Sequence, residues 1–283
     1  CYAQVFPDEL LEIDGVSLIV GNSSKGALVD LLKDAIDGNI HGVVSSDFEP
    51  APRFDPMPVS RFSGRSRAFL KIQDGCESFC TYCIVPFARG PSRSLGMEKV
   101  LKGMERYCRE GYREIVLTGI HLGLYRGGEP GCDLPGLLKR IRSEKYPARI
   151  RLSSMEPNEI TKEIIEMVAE GNWICRHLHI ALQSGDDSIL ASMNRRYTAA
   201  DFVLLVSKIQ EACPQTCIGA DVMCGFPGEN EQTFENTRSL LAGLPVSYLH
   251  VFRYSRRPGT IAAEFPLQVH PGEVKHMAEA MRA

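Results

Sequence analysis

The sequence predicts an α/β chain built on a parallel sheet with crossover helices. Three observations carry that expectation. From residue 67 onward, short β-type apolar runs alternate with amphipathic helical stretches, six strands in all, a pattern that argues parallel strands joined by helices. The length of 283 residues corresponds to about two ordinary domains, or one large α/β barrel with an appendage. The composition, 44% hydrophobic and 24% charged, is that of a chain able to bury a core. A doubly wound open sheet and a barrel-like sheet of six βα units both satisfy this pattern. Both put chemistry at the carboxyl ends of the strands.

In chain order, residues 1–45 read as a small α/β piece. Ser17–Leu18–Ile19–Val20 is a short apolar strand, Asn22–Ser23–Ser24 offers an N-cap, and Ala27 to Ile36 follows with helical spacing. Residues 46–66 read as an extended linker punctuated by Ser46, Pro50, Pro52, Pro56, Pro58 and Gly64, with Arg53, Arg61 and Arg65 scattered through it. Strands are then expected at Ala68–Ile72, Glu114–Thr118, Arg149–Ser153, His177–Leu182, Cys217–Met223 and Ser247–Phe252. The helices between them are expected at about Met97–Glu110, Leu134–Glu144, Ile160–Glu170, Ala199–Ala212 and Asn230–Ala242. These make one unit over residues 67–258, closed by a helix-like tail over residues 259–283.

No apolar run reaches the roughly 18 residues a spanning helix needs, and no basic segment followed by an apolar one marks a secretory signal; no membrane partner is expected. The formal net charge of −3 excludes a uniformly basic surface but not local basic patches, and DNA is not an expected partner. The chain begins with Cys1 rather than Met, so a segment upstream is expected. Its ten cysteines, at 1, 76, 80, 83, 108, 132, 175, 213, 217 and 224, do not suit a secreted disulfide scaffold in a chain this long. They fit a reducing compartment, here the cytoplasm, with some acting as metal ligands and others as small buried residues.

After the first strand of the main unit comes Gln73–Asp74–Gly75–Cys76–Glu77–Ser78–Phe79–Cys80–Thr81–Tyr82–Cys83. Three thiolates on one loop can converge on one metal centre. Structural zinc wants a fourth protein ligand, and none lies nearby. A disulfide would leave one thiol over. A [4Fe–4S] cluster held by three cysteines leaves one iron open for a substrate or cofactor, and the spacing favours that reading over zinc or unligated thiols.

With Tyr82 just before its last cysteine, Cys76-x3-Cys80-x2-Cys83 resembles the cluster loop of the radical S-adenosylmethionine (SAM) superfamily. That resemblance implies a partial (β/α)6 radical SAM barrel with a remnant of a small N-terminal α/β domain. It also implies that the open iron chelates the amino and carboxylate groups of SAM. Flanking segments are similar to the methylthiotransferases: Leu70–Gly75, Cys83–Gly90, Leu117–Gly123, Ser153–Pro157, Leu182–Gly185, Gly225–Glu229 and Tyr254–Thr260. Thr118–Gly119–Ile120–His121 and the opening Cys1–Tyr2–Ala3–Gln4 most resemble the branch acting on threonylcarbamoyladenosine in tRNA. The resemblance covers residues 1–283. It implies that Cys1 is the last of three cysteines holding a second [4Fe–4S] cluster in the intact protein. It also implies a small β-barrel RNA-binding domain beyond the end of this chain, so the chain reads as the end of the N-terminal domain plus the barrel.

Each strand end has a physical reading beside the one the resemblance implies. Glycine at Thr118–Gly119 lets backbone approach a ligand, which the resemblance makes the methionine part of SAM; a plain βα turn is the alternative. Ser153, Ser154 and Glu156 suit ribose hydroxyls, or cap a helix before Pro157. Gln183 ends the fourth strand in the same way. His177 and His179 share a face, as a metal pair or as hydrogen-bonded strand histidines. Arg195–Arg196 meets a SAM carboxylate or an RNA phosphate, or is a solvated pair. Gly225–Phe226–Pro227–Gly228 makes a tight turn beside an aromatic ring, along which the resemblance sets the SAM adenine. Asp221 is read as a member of a buried polar network, and Cys213, Cys217 and Cys224 as ordinary thiols.

The implied reaction is methylthio transfer to C2 of N6-threonylcarbamoyladenosine beside the anticodon. The first cluster, reduced by a donor such as flavodoxin or ferredoxin, cleaves SAM to a 5′-deoxyadenosyl radical that abstracts hydrogen from C2. The second cluster delivers sulfur and a second SAM the methyl group. Arg53, Arg61, Arg65, Arg67, Lys71, Arg89 and Arg93 form a basic set suited to RNA phosphates, with Arg65, Arg89 and Arg93 as the substrate-binding candidates; a solvated patch is the alternative. Other readings are an enzyme acting on a ribosomal-protein aspartate or on isopentenyladenosine in tRNA, a non-catalytic RNA-binding scaffold, and a structural zinc protein.

Overall fold

The computed structural model describes residues 1–45, 53–56, 59, 62, 64–128 and 132–283. The N-terminal piece holds α1 (Tyr2–Val5), α2 (Pro7–Leu11), β1 (Leu18–Val20), α3 (Leu28–Ile36) and β2 (Gly42–Val44). Its two strands pair in parallel, with Leu18 opposite Gly42. The expected helix starts one residue late, because Asn22 to Ala27 wind as a 3₁₀ turn. Asn22 does not cap it; its amide donates to the Ala88 carbonyl at 2.7 Å, tying the piece to the cysteine region.

The main unit follows as β3 (Arg67–Lys71), β4 (Gln73–Asp74), α4 (Val85–Arg89), β5 (Arg93–Ser94), α5 (Met97–Arg109), β6 (Glu114–Thr118), α6 (Leu134–Glu144), β7 (Arg149–Leu152), α7 (Lys162–Glu170), β8 (His177–Gln183), α8 (Asp187–Ser192), α9 (Ala199–Ala212), β9 (Cys217–Cys224), α10 (Glu231–Ala242), β10 (Tyr248–Arg253) and α11 (Pro271–Arg282). Helix starts follow side-chain chemistry. Asp133, Thr161, Asp186, Thr198 and Asn230 each accept a first-turn backbone N–H, satisfying donors that have no partner inside the helix.

The six long strands run parallel in chain order. β3, β6 and β7 form one ladder and β8, β9 and β10 another. Parallel bridges Ile150–Ile174 and Met155–Ile180 join the two. Among the described residues no ladder returns from β10 to β3, so this is an open, partial (β/α)6 barrel, the fold expected.

Strand alternation decides what faces where. Ala68, Leu70, Ile115, Leu117, Ile150, Leu152, Leu178, Ile180, Ile218 and Val222 are buried and share one core with the apolar stripes of α5, α6, α7 and α9. The intervening positions face the barrel interior. At its amino end the buried carboxylate of Glu114 meets Arg67 at 2.9 Å, Arg149 at 2.7 Å and Arg151 at 2.6 Å.

Within residues 46–66, the linker positions Arg61, Ser46, Pro50, Pro52 and Pro58 lie outside the described residues. Phe54 and Phe62 pack on the core, and the Val59 carbonyl accepts from Arg106 and Tyr107 at 2.9 Å each. In the tail, α11 sets Val274, Ala278 and Met281 against the barrel. No helix among the described residues is long and apolar enough to cross a membrane.

Candidate active site at the carboxyl ends of the strands

The cysteine loop is held by a hairpin just past β3. Gln73 and Asp74 pair antiparallel with Ser94 and Arg93. Between them Gly75 has φ +75°, and a Cβ there would lie 2.0 Å from the Pro91 carbonyl oxygen, so the turn requires glycine. Asp74 is the anchor. It meets Lys71 at 2.6 Å, Arg93 at 3.0 Å and Arg89 at 3.7 Å, and accepts from the Gly75 N–H at 3.0 Å. Burial alone would raise its carboxyl pKa, but Lys71, Arg93 and Arg89 hold it below the usual value. Gln73, fully buried, donates to the Gly75 carbonyl at 2.7 Å and to Ser92 Oγ at 3.0 Å, and accepts from His121 N–H at 2.7 Å. Gly119 leaves it room, since a Cβ there would meet Gln73 Oε1 at 2.9 Å.

The three cysteines carry different surroundings. Cys76 Sγ lies 3.4 Å from His121 Nδ1 and accepts from Ser78 N–H at 3.5 Å. Burial pushes that thiol up, but His121 and Ser78 bring it below its ordinary pKa. His121 in turn has Nε2 2.5 Å from Glu159 Oε1 and 3.7 Å from Glu156 Oε1. Burial opposes its charge, yet Cys76 and the two glutamates hold the imidazolium up to about 10. Cys80 accepts from Arg195 Nη1 at 3.2 Å. Burial pushes the Cys83 thiol up to about 11. Arg195 is pinned by Glu156 at 2.9 Å and by the Tyr197 hydroxyl at 2.9 Å. An open cavity of about 520 Å³ lies against Ser78, Cys80, His121, Glu156 and Arg195.

The donor set fits an iron–sulfur cluster. The three sulfurs do not gather within 4.8 Å of one another, although His179, Asp221 and His250 do. Thiolates on one tetrahedral zinc, with Zn–S of about 2.3 Å, would stand about 3.8 Å apart. A cluster spreads its ligands over separate irons.

Of the other strand-end residues, Phe226 meets the loop through Tyr82; the rest have their own surroundings. Thr118 ends β6, its carbonyl accepting from Ile72 N–H at 2.9 Å. Ser153 Oγ is buried with no hydrogen-bond partner, and Ser154 Oγ donates to Asp221 at 3.1 Å. Gln183 closes β8 at φ +68°, beside a register shift. Gly225, at φ +82°, abuts Val274 of α11 and donates its N–H to Glu229. Phe226 is fully buried, with the Tyr82, Tyr254 and Phe265 rings around it. Cys1 lies beside α4, accepting from Arg89 Nε at 3.4 Å.

The three arginines taken as substrate contacts do not sit together. Arg65 precedes the amino end of β3 and covers the Phe69 ring at 5.7 Å, a strand's length from the loop. Arg93 lines the cavity beside Ser92 and Ser94, with its side chain 9% exposed and bonded to Asp74 and to the Arg89 and Pro91 carbonyls. Arg67 likewise belongs to Glu114 at the far end. The basic set is therefore split between both ends of the barrel. Sequence reasoning, in turn, missed Gln73, Asp74, His121, Glu159 and Glu229 as builders of the site. The signal for the first two was a polar pair closing an apolar strand directly before the first cysteine.

A chain of polar side chains occupies the interior. Tyr248 Oη lies 2.8 Å from His177 Nε2 and 3.0 Å from His179 Nδ1. His179 Nε2 is 2.7 Å from Asp221 Oδ1, which is 3.4 Å from His250 Nδ1.

Comparison with known proteins agrees with the fold. A family model described as the Radical SAM superfamily matches residues 70–241. The chain is 39% identical over 272 residues to the threonylcarbamoyladenosine tRNA methylthiotransferase MtaB of Bacillus subtilis, covering 95% of this chain and 60% of that protein. It is 35% identical over 278 residues to a tRNA-2-methylthio-N(6)-dimethylallyladenosine synthase of Syntrophobacter fumaroxidans, covering 97% and 60%. The chain thus spans about three fifths of these curated relatives. Among solved structures, the radical SAM methyltransferase TsrM of Kitasatospora setae superposes with a TM-score of 0.65 at 16% identity, covering 82% of this chain and 50% of that one. Coproporphyrinogen III oxidase (HemN) of Escherichia coli gives 0.55 at 16%, covering 78% and 52%. These two bear on the fold alone.

Proposed function

The chain belongs to the radical SAM superfamily, and on that premise we propose that it is the barrel of a methylthiotransferase that modifies C2 of N6-threonylcarbamoyladenosine beside the anticodon of tRNA. The observation that carries this reading is the 39% identity to a threonylcarbamoyladenosine tRNA methylthiotransferase along 95% of the chain. A low-potential reductant such as flavodoxin or ferredoxin would supply electrons.

Cys76, Cys80 and Cys83 would hold a [4Fe–4S] cluster with one iron lacking a protein ligand. When bound, the cluster and SAM supply the one-electron chemistry. The chain's own residues do the rest. Thiolate ligands load negative charge onto the loop, and His121 and Arg195 set positive charge against Cys76 and Cys80. Glu156 and Glu159 hold those two cations in position. Asp74 and Gly75 fix the entry to the loop, with Arg93 as a positioning residue there. Thr118, Gly119, Ser153, Ser154, Glu156, Gln183, Arg195, Gly225 and Phe226, with Tyr82 behind them, are the proposed contacts for SAM. The unpartnered Ser153 hydroxyl supports that reading, since a buried hydroxyl without a partner is costly unless a ligand completes it. Arg89 and Arg93 are the candidates for RNA phosphate near the loop, and Cys1 beside Arg89 is the proposed ligand to a second cluster.

Two experiments test this. Anaerobic reconstitution should give a broad visible iron–sulfur absorption that Cys80→Ala abolishes; a chain that binds no iron overturns the enzyme reading. Deletion of the gene should remove 2-methylthio-threonylcarbamoyladenosine from bulk tRNA in nucleoside mass analysis. An unchanged level of it refutes the substrate, and loss of the dimethylallyl counterpart instead redirects the assignment.

A further inference from the structure

The interior histidines are given no role in the proposed reaction and, among the described residues, meet the proposed SAM contacts only through Ser154 on Asp221. We propose that His179, Asp221 and His250 form a binding site for a divalent transition-metal ion inside the barrel. One nitrogen or oxygen of each lies within 4.8 Å of the others. His179 Nε2 and His250 Nδ1 stand 2.7 and 3.4 Å from the same Asp221 oxygen. Nitrogen and oxygen ligands bound at about 2.0–2.2 Å stand roughly 3.0 to 3.4 Å apart around one ion, so the side chains need little adjustment to close on it. Two imidazoles and one carboxylate suit zinc, iron(II), nickel or copper better than magnesium or calcium.

The arrangement is built beyond the three ligands. His179 is held through its other nitrogen by the Tyr248 hydroxyl at 3.0 Å, and the second oxygen of Asp221 accepts from Ser154 at 3.1 Å. Histidine and carboxylate ligands oriented in this way by outer partners are characteristic of real metal sites. The relay can also change direction. Without metal, His179 donates from Nε2 to Asp221 and accepts at Nδ1 from Tyr248. With metal on Nε2, the remaining proton sits on Nδ1 and is donated to the Tyr248 oxygen, and Tyr248 donates to His177 Nε2, which lies 2.8 Å away. His177 can then carry its own proton on Nδ1, an atom with no partner. Metal binding thus moves each histidine proton to its other ring nitrogen, with no proton lost from the set and Tyr248 still satisfied. The guanidinium of Arg151, whose charge reaches Tyr248 and His177, is countered by Glu114 at 2.6 Å. His250 is 56% exposed by its side chain, so the ion has a way in.

The test uses the cluster-loaded chain, equilibrated anaerobically with zinc chloride and freed of excess metal. Metal counting should give one zinc per chain beyond the iron, and zinc-edge X-ray absorption should read nitrogen and oxygen neighbours including imidazole, without sulfur. His250→Ala, which changes an exposed residue, and the isosteric Asp221→Asn should each abolish stoichiometric zinc. Tyr248→Phe should weaken binding about tenfold by freeing the His179 ring. The site is refuted if no zinc is retained, if its neighbours include sulfur, or if His250→Ala retains it. Iron content, which must persist in all three variants, reports separately on the cluster assignment.

Discussion

Replacing Glu114 by Gln isolates one charge at the amino end of the barrel. The carboxylate is 6% exposed and shared by Arg67, Arg149 and Arg151. Burial pushes its pKa up, but the Arg151 and Arg149 hydrogen bonds and the charges of Arg151 and Arg67 bring it from 4.5 down to about 2. A fall of that size is worth about 3 kcal/mol at about 1.4 kcal/mol per pKa unit. Arg67 and Arg149 are 52% and 59% exposed, so water screens their share and about 2 kcal/mol remains. The sign follows from linkage. A depressed carboxylate contributes stability that is complete above its unfolded value and is lost as pH falls through its folded value. Urea unfolding of the wild type and Glu114→Gln should therefore differ by about 2 kcal/mol at neutral pH, by less than half of that near pH 3, and by almost nothing near pH 1–2. An equal gap at neutral pH and pH 3 would refute the electrostatic account and assign the loss to packing.

Two further outcomes follow from local geometry. Gly75→Ala forces a side chain into a left-handed turn, worth roughly 1–2 kcal/mol, and puts its Cβ against the Pro91 carbonyl, which is backbone and cannot move aside. The denaturant midpoint and the iron bound per chain should both fall, and a variant matching wild type in both would contradict the turn's role. Glu229 has the opposite sign to Glu114: burial pushes its carboxyl up to about 7, against the Gly225 and Phe226 N–H groups. Stability held by the neutral form is lost as pH rises from about 4.5 through 7, so Glu229→Gln should gain on wild type by up to about 3 kcal/mol across that range; a pH-independent difference sinks this assignment.

Much of the architecture was legible because parallel strands buried on the helix side leave apolar positions such as Ile115–Leu117, or Ile218, Ala220 and Val222 in alternation, bounded by turn residues. The cysteine spacing was legible for a different reason: it is contained in eight consecutive residues. What escaped notice depends on contacts between distant positions. His121 matters because it meets Cys76 and Glu159, partners 45 and 38 residues away that no local periodicity connects. The arginines misled in the opposite sense. Arg65 and Arg93 looked like one patch, but β3 carries the chain from one end of the barrel to the other between them. Elements of two to five residues, such as α1, α2, β4 and β5, are too short to establish a period. Pairs two apart on one strand, Arg149 with Arg151 and His177 with His179, did announce a shared face, although their partners could not be foreseen.

The loop that carries Cys76, Cys80 and Cys83 is tied down by bonds in which no thiol takes part. Cys76 N–H reaches the Gly90 carbonyl at 3.1 Å, Thr81 N–H the Met193 carbonyl at 3.2 Å, and Ala262 N–H the Thr81 carbonyl at 2.8 Å, while Asp74 grips the entry. Small zinc domains fold only when metal arrives; here the cradle belongs to the barrel. Oxidative damage to such a centre is then an injury to the cargo rather than to the fold. A chain stripped by oxygen should be repairable in place, by refilling, without passing through the unfolded state.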